Sequence, residues 1–222
     1  MRTYKVLSLL LAYPSKPLQD NMQELKEALQ SEGVIKGRNA KKLYVFMDRL
    51  AQVDLLKLQE QYVALFDRSR TNSLYIFEHV HGESRDRGGA MVDLSETYEK
   101  FGYKLEGGEL PDYLPLFLEF LSVLPPEDAQ AFLRDAIHVI AMVGVKLGKK
   151  DSGYQYVFKA VEQLADTKID PEMIARALLE AEQVDESMEA LDKEWEETPA
   201  FDGMGGADCG GCPSTSSAPK IH

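Results

Sequence analysis

Residues 78–91, with the sequence EHVHGESRDRGGAM, carry an unusual density of side chains that can do chemistry. Two histidines, three acids, two arginines and three glycines fall within these fourteen residues. Polar and charged groups of this kind cost free energy when they are buried without partners. They are therefore either paired within the fold or exposed to a ligand, and this segment is the first place to look for a functional site.

His79 and His81 are the candidates for metal binding. Two residues apart on a helix, they would point to different faces, so a shared metal ion needs an extended backbone or ligands from elsewhere. Of the other histidines, His138 sits in an apolar stretch and His222 lies in the C-terminal tail. A hydrogen bond from each ring to a neighbouring carboxylate or backbone group is the simpler interpretation. We predict no metal site.

One enzymatic alternative stays open, a metal-dependent hydrolase that uses His79, His81, Asp67 and Glu78. Against it stands the absence of a third histidine nearby in the sequence. Ser84 does not lie in a nucleophile elbow, and nothing in the segment assembles a nucleophile, a base and oxyanion donors. We therefore predict no catalytic residue.

Arg85 and Arg87 have the chemistry to hold a phosphate or a carboxylate. They could equally pair with the acids of the same segment. The pair Gly88-Gly89 would let a ligand approach the backbone closely. Its spacing, however, matches neither a P-loop nor a dinucleotide fingerprint, and no strand precedes it.

Along most of the chain, apolar side chains recur every three or four positions, which is the periodicity of helices. Helices are therefore expected to position the candidate residues of segment 78–91. Thr3, Asn39 and Asp54 are expected N-caps. For residues 67–84 the sequence predicts an irregular segment. The sequence predicts helices over residues 3–12, 17–32, 39–50, 54–66, 86–101, 112–123, 127–147, 154–164, 171–184 and 185–195.

The expected architecture is all-α, a single bundle-like helical domain over residues 1–197. Residues 198–222 are rich in glycine, serine and proline and lack the apolar side chains that would offset their ordering entropy. We expect this tail to be disordered. Its Cys209 and Cys212 form a CxxC pair that supplies only two of the four ligands a structural zinc needs, so incidental exposed thiols and transient metal contact both stay open.

The net charge is −12, and the acid is concentrated near the C-terminus: residues 180–208 hold eleven acids and one lysine. This argues against nucleic-acid binding, which needs a basic surface, and leaves room for a basic partner peptide. Residues 180–197 would be either a solvated helix face or a mobile acidic cover over the partner site. Few cysteines, and no apolar run of the roughly 18 residues that span a bilayer, favour the cytoplasm.

Several runs together resemble a known family. They are YVALFD at residues 62–67 and SLYIFEHVHGESRDRG at 73–88, with Tyr13-Pro14, the turn 110–112, the acidic penultimate helix and the CxxC tail. This pattern is similar to the NarJ-type nitrate reductase assembly chaperones, also called the delta subunit, within the redox-enzyme maturation chaperone superfamily. The likeness covers nearly the whole chain.

The resemblance implies a function without catalysis. Members of the family are cytoplasmic, all-helical chaperones that bind the apo catalytic subunit of respiratory nitrate reductase, notably its N-terminal segment. They assist molybdenum cofactor insertion before the enzyme docks at the membrane. The cofactor belongs to the client, so we expect none to be bound stably here.

A helical groove with aromatic walls could take the apolar face of a client helix, while carboxylates meet its basic residues. Histidines there would make binding sensitive to pH near neutrality. The residues expected to bind the partner are Tyr62, Phe66, Asp67, Glu78, His79, His81 and Glu83. Those expected to brace the loop are Gly82, Arg85, Arg87 and Gly88.

Overall fold

The computed structural model describes residues 1–81, 85–105 and 107–182. These residues contain no β-strand, only one isolated antiparallel bridge between Tyr75 and Tyr113, so the predicted all-α class is confirmed. The predicted helix 185–195, the tail from residue 198 and the CxxC pair lie outside the described residues. The α-helices are α1 Arg2–Leu11, α2 Lys16–Asp20, α3 Met22–Glu32, α4 Gly37–Gln52, α5 Leu55–Tyr62, α6 Glu78–His81, α7 Arg85–Lys100, α8 Leu114–Val123, α9 Pro126–Lys149, α10 Gln155–Leu164 and α11 Pro171–Glu182.

The first helix lies at the centre of the core. It packs against α3, α8 and α10, and Leu7, Leu10 and Leu11 are completely buried. Helix α9 packs against α8, α10 and α11. Gly144 of α9 allows a close approach to α10, because a Cβ there would lie 2.8 Å from the Cβ of Phe158.

The predicted helix 17–32 is in fact two helices, broken at Asn21. This residue has φ −98° and ψ 10°, and its side-chain amide donates to the Pro17 carbonyl at 2.9 Å. Short polar side chains compete with the helical hydrogen bonds in this way. The apolar periodicity ran on through the break because α2 and α3 both face the core.

Of the expected N-caps, only Asp54 is confirmed, since its carboxylate accepts from the backbone N–H of Lys57 at 3.1 Å. Helix α4 begins at Gly37, before Asn39, and has no side-chain cap. Thr3 lies inside α1, whose first N–H groups are satisfied by Glu32 of α3 instead. No helix among the described residues is long and apolar enough to cross a membrane.

Candidate functional site

A π-helix, Val63–Asp67, continues α5 and sets the positions of two predicted site residues. In it the N–H of Arg68 donates to the carbonyl of Val63 at 3.1 Å, one residue further back than in an α-helix. Phe66 is buried on the inner side and Asp67 is exposed. Single π-turns inside helices are frequent at functional sites.

The buried side chain of Asn72 closes this irregular turn. Its amide donates to the carbonyl of Leu65 at 3.1 Å and lies 3.2 Å from the Ser69 hydroxyl. A buried carbonyl without a partner would cost free energy. Asn72 therefore stabilises the π-helix through a contact that sequence periodicity does not reveal.

The second wall of the site comes from the turn before α8, which pairs with residues 74–76. The N–H of Ile76 donates to the carbonyl of Asp112 at 3.0 Å, and the N–H of Leu114 donates to the carbonyl of Leu74 at 2.8 Å. The predicted helix start at Asp112 is therefore wrong by two residues. The backbone there is used for this pairing instead of the first helical turn.

Asp112, which is completely buried, ties three segments together. Its carboxylate accepts from the N–H of Phe77 at 3.1 Å and lies 3.7 Å from a guanidinium nitrogen of Arg87. The other terminal nitrogen of Arg87 donates to Glu78 at 3.1 Å. Burial raises the pKa of the Asp112 carboxyl above its usual range, although the Phe77 hydrogen bond and Arg87 oppose the shift. Arg87 thus joins α7 to α6 and to the turn before α8.

These elements form an open cavity of about 560 Å³, and five of its twelve described lining residues are aromatic. The ring centroids of Tyr62 and Phe66 lie 4.9 Å apart, and Tyr13 meets Tyr62 edge to face at 5.5 Å. Tyr75 and Tyr113 pack together at 5.3 Å. The Tyr62 hydroxyl donates to the carbonyl of Leu11 at 2.8 Å and lies 3.1 Å from the Tyr113 hydroxyl.

Acidic side chains line the same cavity: Asp67, Glu78 and Glu109, with Arg70 as the one basic lining residue among the described part of the chain. Partial burial raises the pKa of Asp67. Burial first, and Glu109 second, raise the pKa of Tyr75 to about 12, so its hydroxyl stays protonated and donates to Glu109 at 3.4 Å. Aromatic faces beside carboxylates suit an amphipathic segment that carries positive charge. We call this site, lined by Tyr13, Tyr62, Phe66, Asp67, Tyr75, Glu78, Glu109 and Tyr113, the aromatic–acidic cavity.

Of the residues predicted to bind a partner, Tyr62, Phe66, Asp67 and Glu78 come together in the aromatic–acidic cavity. His79 and His81 do not line it. Glu83 lies outside the described residues.

His79 is held inside the fold, where the Nε2 atom lies 2.9 Å from the carbonyl of Ser73. Burial is the main cause that lowers the pKa of His79, which favours the neutral ring at neutral pH. The ring of His81 packs against Phe77 with centroids 5.7 Å apart. The two imidazoles therefore have different neighbours and do not face a common ligand.

The residues predicted to brace the loop have different fates. Arg87 pairs with Glu78 and Asp112, as described above, and Gly88 lies within α7. Gly82 and the side chain of Arg85 lie outside the described part. Among the residues that the structure describes, no group of three His, Cys, Asp or Glu side chains could hold a metal ion. The metal-dependent hydrolase alternative has no support.

Sequence reasoning missed eight of the twelve described residues that line the cavity, and four of the eight are aromatic or acidic: Tyr13, Tyr75, Glu109 and Tyr113. Tyr13 belongs to the Tyr-Pro pair and Tyr113 follows the 110–112 turn, so both stood beside features already noted. Their convergence depends on the pairing of residues 74–76 with 112–114, which joins segments far apart in the sequence. Local patterns carry no signal for such a contact.

The sequence of this chain is similar to those of known proteins. Residues 14–143 match the model of the family described as nitrate reductase delta subunit. NarJ of Escherichia coli strain K12, a nitrate reductase molybdenum cofactor assembly chaperone, is 42% identical over 192 residues, which cover 86% of this chain and 81% of NarJ. NarW of the same strain is 39% identical over 197 residues, covering 89% of this chain and 82% of NarW. A solved redox enzyme maturation protein from Archaeoglobus fulgidus aligns over 73% of this chain and 92% of its own, with a TM-score of 0.48 and 23% identity.

Proposed function

The chain belongs to the nitrate reductase delta subunit family, whose relatives are molybdenum cofactor assembly chaperones, and we propose that it holds the apo catalytic subunit of a nitrate reductase by its N-terminal segment. The aromatic–acidic cavity is the binding site. The chain acts as a chaperone and not as a catalyst. Binding precedes membrane docking of the client and takes place in the cytoplasm.

The observation that carries this proposal is the composition of the cavity. Among the described residues, its lining includes five aromatic rings and three carboxylates, against one arginine, Arg70. A helical client segment with apolar residues on one face and basic residues beside them would place its apolar side chains on the rings. Its basic side chains would meet Asp67 and Glu109, which also speeds the first encounter.

Polar contacts within the chain hold the wall in place without the client. Tyr62 and Tyr113 are linked through their hydroxyls, and Asp112 and Arg87 fix the turn behind them. A site that is already ordered loses less conformational entropy on binding. The molybdenum cofactor enters the client, and we assign no residue of this chain to it.

Isothermal titration of the full chain with a synthetic peptide of the client's N-terminal segment tests the proposal. We expect saturable binding that weakens as salt is added, because exposed charges are screened. Tyr13 is 50% exposed, so Tyr13→Ala removes a ring from the cavity with little effect on the core. We expect Tyr13→Ala and Glu109→Gln each to weaken binding about fivefold or more.

Glu60→Gln is the matched control for Glu109→Gln, since Glu60 is an exposed carboxylate that does not line the cavity. The Glu60→Gln chain should bind the client peptide as tightly as the unmodified chain does. Unchanged affinity in both cavity variants would remove this cavity as the client site.

A further inference from the structure

A second, apolar groove lies on the other side of the turn that closes the aromatic–acidic cavity. It has a volume of about 300 Å³ and is formed by α7 and the turn before α8; we call it the α7 groove. Val92 and Leu110 line it and are 58% and 39% exposed. Both side chains could bury apolar area against a partner that enters the groove.

The groove and the cavity share a wall. Glu109 lines the cavity, and the next residue, Leu110, lines the groove. In the same way Glu78 lines the cavity and pairs with Arg87, whose neighbour Gly88 lines the groove. The two sites are therefore neighbours at residues 109–110, and a segment that leaves the cavity over this turn would meet the groove.

The shared wall is held from both sides. The hydroxyl of Tyr98, a completely buried residue of α7, donates to the carbonyl of Pro111 at 2.8 Å. On the other side the backbone of Asp112 accepts from Ile76. These hydrogen bonds hold the turn between the two sites in place, which suits a ligand that occupies both at once.

The charges around the groove match those of the cavity. Glu96 and Glu99 line it, and no lysine or arginine among the described residues does so. Glu96 lies 3.8 Å from Lys100, an exposed and weak pair, while Glu99 is exposed at the rim. An apolar side chain flanked by basic ones is the chemistry that complements this surface.

We propose that the α7 groove is a second docking site for the same basic, amphipathic client segment, which straddles the 109–113 turn. This inference rests on the proposed function of the cavity. One apolar side chain of the segment fills the groove between Val92 and Leu110. A basic side chain next to it lies against Glu99.

Val92→Ser and Leu110→Ser test the contact by titration of the full chain with the client's N-terminal peptide. Each should weaken binding about three- to tenfold, because a buried apolar contact is lost. Val45→Ser is the matched control: Val45 is a helical residue, 69% exposed, that lines neither site. Its affinity should not change.

A pair of glycine variants tests the groove by filling it. Gly88 and Gly89 both lie in α7, both are exposed, and a Cβ at either would meet nothing within 4 Å. Only Gly88 lines the groove. Gly88→Leu should therefore block the client peptide and weaken its binding, while Gly89→Leu should bind as the unmodified chain does.

Peptide length separates the two sites. A peptide shortened to the part that fills the cavity should bind the Val92→Ser chain and the unmodified chain with equal affinity. It should still bind the Tyr13→Ala chain more weakly. If Val92→Ser, Leu110→Ser and Gly88→Leu all bind the long peptide normally and Tyr13→Ala does not, the second docking site is overturned and the cavity stands. If Tyr13→Ala and Glu109→Gln also bind normally, the cavity itself is removed as the client site, and the proposed function fails there. If Val92→Ser changes the sedimentation of the chain in the absence of peptide, the groove is assigned to self-association, and client docking there is overturned.

Discussion

Asp67 is the residue at which binding and stability are most directly opposed. It lies at the end of the π-helix, and the residue as a whole is exposed. Its carboxyl group is nevertheless partly buried, and this burial raises the carboxyl pKa. An ionised group with a raised pKa is less favourable in the folded chain than in the unfolded one. Such a cost is explained if the negative charge at this position serves a basic client.

Asp67→Asn should keep or raise stability at neutral pH while it weakens client binding. The folded-state pKa is raised, so the unmodified chain loses stability as pH rises from the unfolded value of about 3.9 through the folded one. The Asp67→Asn chain lacks this loss of stability. Its stability advantage over the unmodified chain should therefore vanish in acid. Denaturant unfolding at several pH values, together with peptide titration, measures both effects. A clear loss of stability at neutral pH, with affinity unchanged, would contradict this role.

At the scale of the elements, helix ends in this fold are satisfied by distant side chains. The carboxylate of Glu32, at the end of α3, accepts from the N–H groups of Arg2 and Thr3 at 2.8 Å and from the Thr3 hydroxyl at 2.6 Å. Partial burial acts to raise the pKa of Glu32, but these hydrogen bonds outweigh it and hold the pKa below its usual range. A negative group at a helix N-terminus is also favoured by the helix dipole. Helix α1 is thereby fastened to α3.

Glu32→Gln should destabilise the chain by about 1 kcal/mol at neutral pH, since the amide brings a donor where an N–H needs an acceptor. Because the folded pKa of Glu32 is lowered, its contribution is present above the unfolded value of about 4.3 and is lost as pH falls. The gap between the two chains should therefore close in acid. Thermal or denaturant unfolding measures it, with Glu27→Gln, an exposed carboxylate of the same helix, as the control. An equal effect of both substitutions would show that the hydrogen bonds of Glu32 are not its cause.

At the scale of the molecule, apolar periodicity was sufficient to predict the all-α class and most of the helices. It predicted α9 and α10 closely, because each places one apolar face on the core. It did not predict the break at Asn21 or the late start of α8, because both depend on side-chain and backbone contacts outside the periodic pattern. Two thirds of the described residues that line the cavity were missed for the same reason. The rings of Tyr75 and Tyr113 come together because a backbone bridge pairs their two segments, which are distant in the sequence.

Site-specific photo-crosslinking to the apo catalytic subunit would test the central claim most directly. A photoreactive phenylalanine derivative would replace Tyr13, on the cavity wall, or Tyr156 of α10, which lines neither site. The cavity assignment predicts a cross-link from position 13 that maps to the N-terminal segment of the catalytic subunit, and none from position 156. A cross-link from position 13 that maps only elsewhere, or equal cross-linking from both positions, would contradict it.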